Sequence, residues 1–427
     1  MQTDKAEESR IVPTAKQLAY QDWEFGLFLH FGLRTFYEGY ADFDERKMTP
    51  ADFNPVQLDC EQWIRTAKEA GMEYAVLTAK HHDGFSNWPS KYSRFTVEAS
   101  PWKDGKGDVV REYVDACRKY DVKVGLYYSP FDGSTDFYSQ DAQAYDDYFV
   151  NQITELLSDY GDIDILWFDG CGSENHEYDW PRIIGTIRRL QPSILIFNMG
   201  DPDFRWIGNE DGIAPIPCWN TVETADFSIY TEKKEQFGKR LWLPAECDVQ
   251  MRQNGSTWFY SDNDEHMVKS VDELMGLYYL SIGRGTNLLL NIGPNREGLL
   301  PAKDTAHLTA FGDEIRRRFG GPIASLDACR QEGRQWQYKA SVPHIIDHII
   351  IQENLTDGEC VLSFTVSVLS AKTHTPVTVY EGRNIGHKAI IRIPAVKVAG
   401  VIVEVTACDG EPILRELSFH YAGDTDS

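Results

Sequence analysis

Short apolar runs alternate with longer amphipathic stretches over roughly the first 320 residues of the chain. The longer stretches have helical periodicity, and one of them, Cys60–Ala70, is followed by Gly71, a residue type that commonly terminates helices. Alternation of this kind predicts a parallel sheet covered by helices. Seven apolar runs are predicted as strands: Gly26–His30, Tyr74–Ala79, Lys123–Tyr128, Ile163–Asp169, Ile194–Asn198, Leu241–Glu246 and Thr286–Ile292. With an eighth strand expected around Cys218–Glu223, the count fits a (β/α)8 barrel with insertions.

A doubly wound α/β sheet is the alternative, but no glycine-rich phosphate loop follows the first predicted strand. Beyond Asp327 the pattern changes to short β-branched runs separated by turn residues, which is typical of an antiparallel sandwich. The runs are His344–Glu353, Cys360–Leu369, Thr375–Glu381, His387–Ile393 and Gly400–Thr406. We therefore predict an α/β protein with a (β/α)8-type barrel over residues 1–325 and a C-terminal antiparallel β-sandwich over residues 326–427.

The net charge of −24 argues against binding to nucleic acid or to anionic membrane surfaces. No run of about 20 apolar residues is present in the sequence. The polar N-terminus lacks the pattern of a secretory signal, so we expect a cytoplasmic protein, or a secreted or periplasmic one if a signal has been removed. The eight cysteines show no zinc-like spacing, which indicates free thiols in a reducing compartment. The sequence leaves homo-oligomerisation open.

Polar or aromatic side chains stand at the ends of all seven predicted strands. These residues are His30, His81, Tyr128, Asp169, Asn198, Glu246 and Asn291. The carboxyl ends of the strands in a parallel barrel meet on one face, where such proteins place their chemistry. We therefore expect these side chains to converge on one site.

Asp169 is the residue that folding explains least well. It follows the apolar run Ile165–Phe168, and aspartate is disfavoured in strands. Burying its charge without a partner would cost several kcal/mol. We predict that Asp169 is the catalytic centre, and the alternative is that it caps the helix that follows.

Two carboxylates on one face are what the hydrolysis of a glycoside requires, one as nucleophile and one as acid. Asp169 is the candidate nucleophile. The candidate acids are Glu246, at a predicted strand end, and Glu210, in a glycine-flanked loop beside Trp206. An apolar neighbour would raise the pKa of the acid, as the role requires. The residue types alone do not decide between the two glutamates.

His30, His81 and His82 raise the question of a metal site, because a catalytic zinc needs three ligands. Adjacent residues of a strand point to opposite faces, so His81 and His82 are not expected to bind one ion together. We predict that no metal or other cofactor is required and that the imidazoles hydrogen-bond substrate hydroxyls. A metal-dependent hydrolase on the same barrel is the alternative.

Three motifs, in this order and spacing, resemble those of the α-L-fucosidases of glycoside hydrolase family 29: Phe25–Gly32, Lys80–Phe85 and Trp167–Gly170. Asn54-Pro55, Trp88–Tyr92 and Asn291–Pro294 match as well, so the resemblance covers nearly the whole chain. It implies a (β/α)8-like barrel with a C-terminal β-sandwich. It also implies a retaining exo-glycosidase that removes terminal α-L-fucose from fucosylated glycans without a metal.

By this resemblance, Asp169 corresponds to the family's nucleophile. Gly208–Gly212 resembles the acid/base segment of the subgroup that prefers branched α-1,3/1,4-fucosides. That likeness favours Glu210 as the acid/base and leaves Glu246 as a substrate-binding residue. The other residues that resemble the family's fucose pocket are His30, His81, His82, Trp88, Tyr128, Arg252 and Trp258.

One stretch, Tyr37–Asp42, departs from the family pattern because it lacks the Glu-Trp pair that many relatives carry. The chemistry does not depend on this pair, but the fine substrate preference does. Two alternatives to fucoside hydrolysis follow from the resemblance. One is hydrolysis of a related sugar such as an α-L-galactoside, and the other is fucose binding without catalysis.

Overall fold

The computed structural model describes residues 10–39, 46–252 and 258–423, so the Tyr40–Asp42 part of the departing stretch lies outside the described residues. The first part of the chain contains a sheet of eight parallel strands and an inserted hairpin. The strands are β1 (Phe25–Leu29), β2 (Tyr74–Lys80), β3 (Lys123–Tyr128), β4 (Ile165–Phe168), β5 (Leu195–Phe197), β6 (Arg205–Trp206), β7 (Thr221–Asp226), β8 (Lys234–Trp242), β9 (Ala245–Gln250) and β10 (Asn287–Asn291). The order in the parallel sheet is β5-β4-β3-β2-β1-β10-β9-β6. A parallel bridge between Phe197 and Phe204 brings its two ends together, so the sheet is a nearly closed barrel.

The predicted barrel is confirmed, but two of the predicted strands are wrong. The segment around Cys218–Glu223 does not supply the eighth barrel strand, because β7 pairs with β8 as an antiparallel hairpin and β6 takes the place in the barrel. The predicted strand Leu241–Glu246 is divided between β8 and β9. Glu246 therefore lies near the start of β9 rather than at its carboxyl end. The break falls at Pro244, which has no N–H to donate to a neighbouring strand.

Helices cover the outside of the barrel. They are α1 (Ala15–Trp23), α2 (Cys60–Glu69), α3 (Val109–Lys119), α4 (Phe137–Gln140), α5 (Ala142–Asp159), α6 (Trp180–Leu190), α7 (Val271–Leu280) and α8 (Ala302–Phe319). Aspartate side chains accept N–H bonds at the N-termini of several helices, as with Asp59 on α2 and Asp108 on α3. Among the described helices, none is long and apolar enough to cross a membrane.

Alternation along the strands sorts the side chains into a barrel interior and an outer layer beneath the helices. In β4, Ile165 and Trp167 belong to the interior cluster, whereas Leu166 and Phe168 pack towards the helices. Asp169, the next residue in this alternation, continues the inward series at the carboxyl end. Residues that follow the inward positions of the strands therefore reach one end of the barrel together.

The C-terminal part is an antiparallel sheet that folds over its own core. Its strands are β11 (Ala324–Ser325), β12 (Cys329–Glu332), β13 (Gln335–Glu353), β14 (Val361–Ser370), β15 (Pro376–Gly382), β16 (Ala389–Cys408) and β17 (Leu414–His420). β13 and β16 are long, and their pairing contains register shifts at which the sheet can bend. The two predicted runs His387–Ile393 and Gly400–Thr406 fall almost entirely within the single strand β16, and β17 is a strand that the sequence pattern did not reveal.

The C-terminal sheet begins at β11 and contacts the barrel through side chains. Ala324 and Ser325 already pair with β17 of the C-terminal sheet. Side chains join the two parts, since Glu24 contacts both His387 and Lys388. These contacts pack the C-terminal sheet against the barrel beside the start of β1.

Candidate active site

A pocket of about 500 Å³, including its open mouth, lies at the carboxyl end of the barrel strands. It is lined by residues from most of the barrel strands and from the loops that follow them. The lining residues are Phe28, His30, His81, His82, Tyr127, Trp167, Asp169, Gly170, Cys171, Phe197, Asn198, Trp206, Glu210, Phe227, Ser228, Ile229, Asp248 and Trp258. Six of the predicted site residues, His30, His81, His82, Asp169, Glu210 and Trp258, are therefore together in one cavity.

Asp169 is held as an ionised carboxylate. The Tyr127 hydroxyl donates to Oδ2 at 2.7 Å, and the backbone N–H of Cys171 donates to Oδ1 at 2.9 Å. Burial by itself raises the pKa of Asp169, but the nearby His82 and these two hydrogen bonds outweigh it and lower the pKa to about 2. The side chain remains 19% exposed, so the charged group faces the cavity.

The absence of a side chain at Gly170 lets the loop between β7 and β8 approach Asp169. A Cβ atom on Gly170 would lie 1.9 Å from the carbonyl oxygen of Phe227, so only glycine leaves room for this approach. Phe227, Ser228 and Ile229 then form a wall beside Asp169. The inserted hairpin thus contributes one side of the pocket.

His82 lies beside Asp169, with its Nε2 atom 3.4 Å from Oδ2. Its Nδ1 atom is 2.7 Å from the Ser129 hydroxyl, and that hydroxyl donates its own proton to the carbonyl of Phe131. Ser129 must therefore accept the proton of Nδ1, which fixes His82 with an Nδ1–H. The Nε2 atom is the one directed to the carboxylate.

His30 is oriented by Asn291. The amide of Asn291 donates to the backbone carbonyl of Trp258, so its Oδ1 accepts from Nδ1 of His30 at 2.8 Å. Burial lowers the pKa of His30 to about 3, which keeps the ring neutral. Its Nε2 is then an acceptor for a hydroxyl of a bound molecule. Burial likewise lowers the pKa of His81, whose ring stacks on Tyr127.

Glu210 lies in a loop that is fixed by its neighbours. Gly208 and Gly212 have φ angles of 96° and 72°, which form the two turns of this loop. The Asn209 side chain accepts from the N–H of Asp211 and donates to the carbonyl of Ile213. A backbone bridge from Asp211 to Val249 attaches the loop to β9, so Glu210 is held at the pocket wall.

Asp248 is a pocket residue that sequence reasoning missed. It is the second inward-facing residue of β9, and the indole N–H of Trp206 donates to its Oδ1 at 2.7 Å. Burial and then the negative charge of Glu210 raise its pKa well above the usual range. The alternation of Glu246, Asp248 and Gln250 within a buried strand was the available signal.

Glu246 lies deeper in the barrel and is not among the pocket-lining residues. Its carboxyl accepts from the hydroxyls of Tyr20 and Tyr74, at 2.8 and 2.7 Å, and from the indole of Trp167, at 2.8 Å. The side chain has no exposed surface to offer to a ligand, since only 1% of the residue is accessible. The structure therefore places Glu246 in the barrel interior and not at the pocket surface, where the predicted contact with substrate would require it.

Tyr128 and Trp88 also differ from the predicted placement. Tyr127 and Tyr128 are adjacent in β3, and strand alternation sends Tyr127 into the pocket and Tyr128 towards α5, where it bonds Gln152. Trp88 is buried and donates its indole N–H to Glu155 at 3.0 Å. Neither residue lines the pocket among the residues described.

Arg252 is likewise held away from the pocket. Its guanidinium forms two hydrogen bonds with Asp304, at 3.0 and 2.8 Å, and contacts Asp264 and the carbonyl of Ser261. All of these groups are buried. Arg252 therefore ties the segment that carries Trp258 to α8, which is a supporting position. Thr257, quoted with this motif, lies outside the described residues.

The expectation that His81 and His82 point to opposite faces is wrong. β2 ends at Lys80, so both histidines follow the strand and strand alternation no longer applies to them. Their rings are 4.2 Å apart between centroids, and both line the pocket. His81, His82 and Asp169 each present one atom that could bind a metal ion, and these three atoms lie within 4.8 Å of one another.

The chain is similar to known proteins over most of its length. The sequence profile of the alpha-L-fucosidase family matches residues 2–317. An alpha-L-fucosidase 1 of Arabidopsis thaliana is 36% identical over 322 residues, which cover 73% of this chain and 62% of the plant protein.

Two solved structures share the fold. A glycoside hydrolase 29 family member from an unknown rumen bacterium is 33% identical, with a TM-score of 0.87, over 99% of this chain and 79% of that one. A Ruminococcus gnavus GH29 fucosidase in complex with fucose is 25% identical, with a TM-score of 0.83, over 99% of this chain and 98% of that one.

Proposed function

Because the chain belongs to the alpha-L-fucosidase family, glycoside hydrolase family 29, we propose that it releases terminal α-L-fucose from fucosylated glycans by a double displacement. The observation that supports this proposal most directly is the environment of Asp169. An ionised carboxylate with a pKa of about 2 faces a cavity that also contains Glu210. A carboxylate nucleophile and a second carboxyl group are what a retaining glycosidase uses.

The two steps assign a role to each carboxyl group. In the first step, an oxygen of Asp169 attacks the anomeric carbon while Glu210 donates a proton to the departing oxygen, so that a fucosyl ester forms on Asp169. In the second step, Glu210 removes a proton from water, and the water oxygen attacks the same carbon. The ester bond breaks, and fucose leaves with the configuration it had in the glycan.

The rest of the pocket suits a deoxy sugar. His30 offers an unprotonated Nε2 as an acceptor, and His81 is also a neutral imidazole, so both can hydrogen-bond the hydroxyls of fucose. Phe28 and Trp258 supply apolar surface for the methyl group of the 6-deoxy sugar. The R. gnavus relative in complex with fucose supports the assignment of fucose to this cavity.

The stereochemical course of the reaction tests the mechanism. We expect an aryl α-L-fucoside to release α-L-fucose as the first product, because two displacements restore the original configuration. Proton NMR spectra recorded in the first minutes, before mutarotation, distinguish the two anomers. Initial release of the β anomer would contradict the double displacement.

The preference for α-1,3/1,4-linked branches is a further part of the proposal, supported by the likeness of Gly208–Gly212 to that subgroup. We expect the enzyme to cleave a branched Lewis-type trisaccharide with a kcat/KM at least about tenfold above that for an unbranched α-1,2-fucoside, since about 1.4 kcal/mol of added contact suffices. Fucose release from both glycans, with an aryl fucoside as reference, measures the difference. Equal rates on the two glycans would remove the linkage assignment and leave the fucosidase assignment unchanged.

Asp248 offers a test of whether its hydrogen bond with Trp206 matters for activity. An asparagine has nearly the shape of an aspartate and keeps an oxygen that can accept the bond from Trp206, so Asp248→Asn should lower kcat/KM by less than about tenfold.

Asp248→Ala removes that acceptor and leaves the Trp206 indole unpaired. Such a loss costs about 1–3 kcal/mol, and we expect kcat/KM to fall about 10- to 100-fold. Steady-state kinetics and thermal unfolding of both variants check the comparison. If asparagine and alanine have the same effect, the bond to Trp206 does not matter for activity.

A further inference from the structure

His81, His82 and Asp169 bring two imidazoles and a carboxylate together in the pocket wall. One ligand atom from each lies within 4.8 Å of the others. Only 6% of His81 and 5% of His82 are exposed, whereas the carboxylate of Asp169 faces the cavity. The group thus differs from the exposed carboxylates of this acidic chain, because two of its three members are nitrogen ligands in a built cavity.

The hydrogen bonds around His82 leave its metal-binding atom directed at Asp169. Because Ser129 accepts the Nδ1 proton, Nε2 is the ring nitrogen that faces Asp169. That atom is 3.4 Å from Oδ2 of Asp169. Nε2 and Oδ2 already interact across this distance, and a bound metal ion would take the place of the proton between them.

The spacing matches the ligand sphere of zinc. In a tetrahedral site with bonds of about 2.0–2.1 Å, two ligand atoms are about 3.4 Å apart. The pair of Nε2 and Oδ2 already has this separation. The ligand nitrogen of His81 lies within 4.8 Å of both atoms, so a movement towards them would complete three ligands. Because the carboxylate of Asp169 faces the cavity, water from the cavity could serve as a fourth ligand.

We propose that these three residues form an inhibitory site for a borderline transition-metal ion, such as Zn²⁺, that competes with the sugar. The ion is not a cofactor, because binding it engages the carboxylate assigned as the nucleophile. Competition with fucosides rests on the proposed function of the pocket, but binding of the ion does not. The nitrogen ligands favour Zn²⁺ and Cu²⁺, whereas Mg²⁺ and Ca²⁺ prefer oxygen ligands.

Direct binding is the first arm of the test. The folded chain is treated with EDTA, transferred to a non-chelating buffer, and dialysed against ZnCl2 or, as a control, MgCl2. We expect one zinc per chain at this site. Each of the variants His82→Gln and Asp169→Asn should weaken zinc binding by at least about tenfold, and Mg²⁺ should not displace the zinc.

Matched controls separate this site from other ligands. Cys171→Ser removes a thiol that lines the same pocket, and we expect it to bind zinc as the unmodified protein does. Thermal unfolding of each variant without metal verifies that it is folded. Asp169→Asn is nearly isosteric, so the test does not depend on the stability of the histidine variant. Unchanged zinc binding in both His82→Gln and Asp169→Asn would overturn the proposed site.

Inhibition is the second arm. At a zinc concentration about ten times its dissociation constant, KM for an aryl fucoside should rise about tenfold with kcat unchanged, and EDTA should reverse the effect. Loss of activity on EDTA treatment alone would overturn the inhibitory assignment in favour of a required metal. Zinc bound through these residues without any inhibition would keep the metal site and contradict the proposed function of the pocket.

Discussion

Replacing Asp169 with alanine is expected to lower kcat/KM for fucoside hydrolysis by about 10⁴-fold or more, because the nucleophile of the first step is lost. The fold should persist, since the carboxylate is partly exposed and its partners Tyr127, His82 and the Cys171 N–H line an open pocket. Steady-state kinetics with an aryl α-L-fucoside, together with thermal unfolding, measures both effects.

Added azide provides a second measurement on the Asp169→Ala variant. In Asp169→Ala, azide can occupy the space of the carboxylate and attack the anomeric carbon once, so the product should be the β-L-fucosyl azide with inverted configuration. The matched control is Asp162→Ala, which removes an exposed carboxylate just before β4 and should leave activity unchanged. Wild-type turnover in Asp169→Ala would refute the nucleophile assignment.

Replacing Glu210 with alanine is expected to lower kcat/KM on a natural glycan by about 10²- to 10⁴-fold, the usual contribution of general acid catalysis. An activated aryl fucoside needs less protonation of its leaving group, so the rate of the bond-breaking step should fall less for this substrate than for the glycan. Rates on the two substrates measure the contrast. Azide should now intercept the fucosyl ester on Asp169 and yield the α-L-fucosyl azide, with retained configuration.

The neighbouring Asp211 supplies a matched control, because its side chain is exposed and does not line the pocket. Asp211→Ala should retain activity on both substrates. Glu246→Gln provides the second comparison, since Glu246 was the other candidate acid. Azide rescue with retention in Glu246→Gln, and its absence in Glu210→Ala, would move the acid/base role to Glu246.

The polar residues at the carboxyl ends of the barrel strands were predictable, because their positions depend only on neighbouring residues in the sequence. His30 and Asp169 follow apolar runs directly, and a polar residue in that position has few roles in folding. Both line the pocket. The alternation of strands and helices also predicted that such ends meet on one face, and the barrel confirms this arrangement.

The positions that the sequence placed wrongly share a physical cause. Tyr127 and Tyr128 differ by one residue, and a shift of one residue exchanges the two faces of a strand. The register of β9 has a similar effect: the predicted strand Leu241–Glu246 ends at Glu246, whereas β9 starts at Ala245, so Asp248 and not Glu246 reaches the pocket. In Trp88 and Arg252, a motif match did not distinguish a residue that contacts a ligand from one that supports the loop beside it.

The sequence by itself determined the order of strands and helices, the polar residues at the strand ends and the pair of candidate carboxylates, because these depend on neighbours along the chain. Only the tertiary structure decided which carboxylate faces the cavity. Glu246 is enclosed by Tyr20, Tyr74 and Trp167, which come from distant parts of the chain, whereas Glu210 reaches the pocket through a loop attached to β9. Side-chain direction and solvent access arise from such long-range contacts, which no local pattern contains.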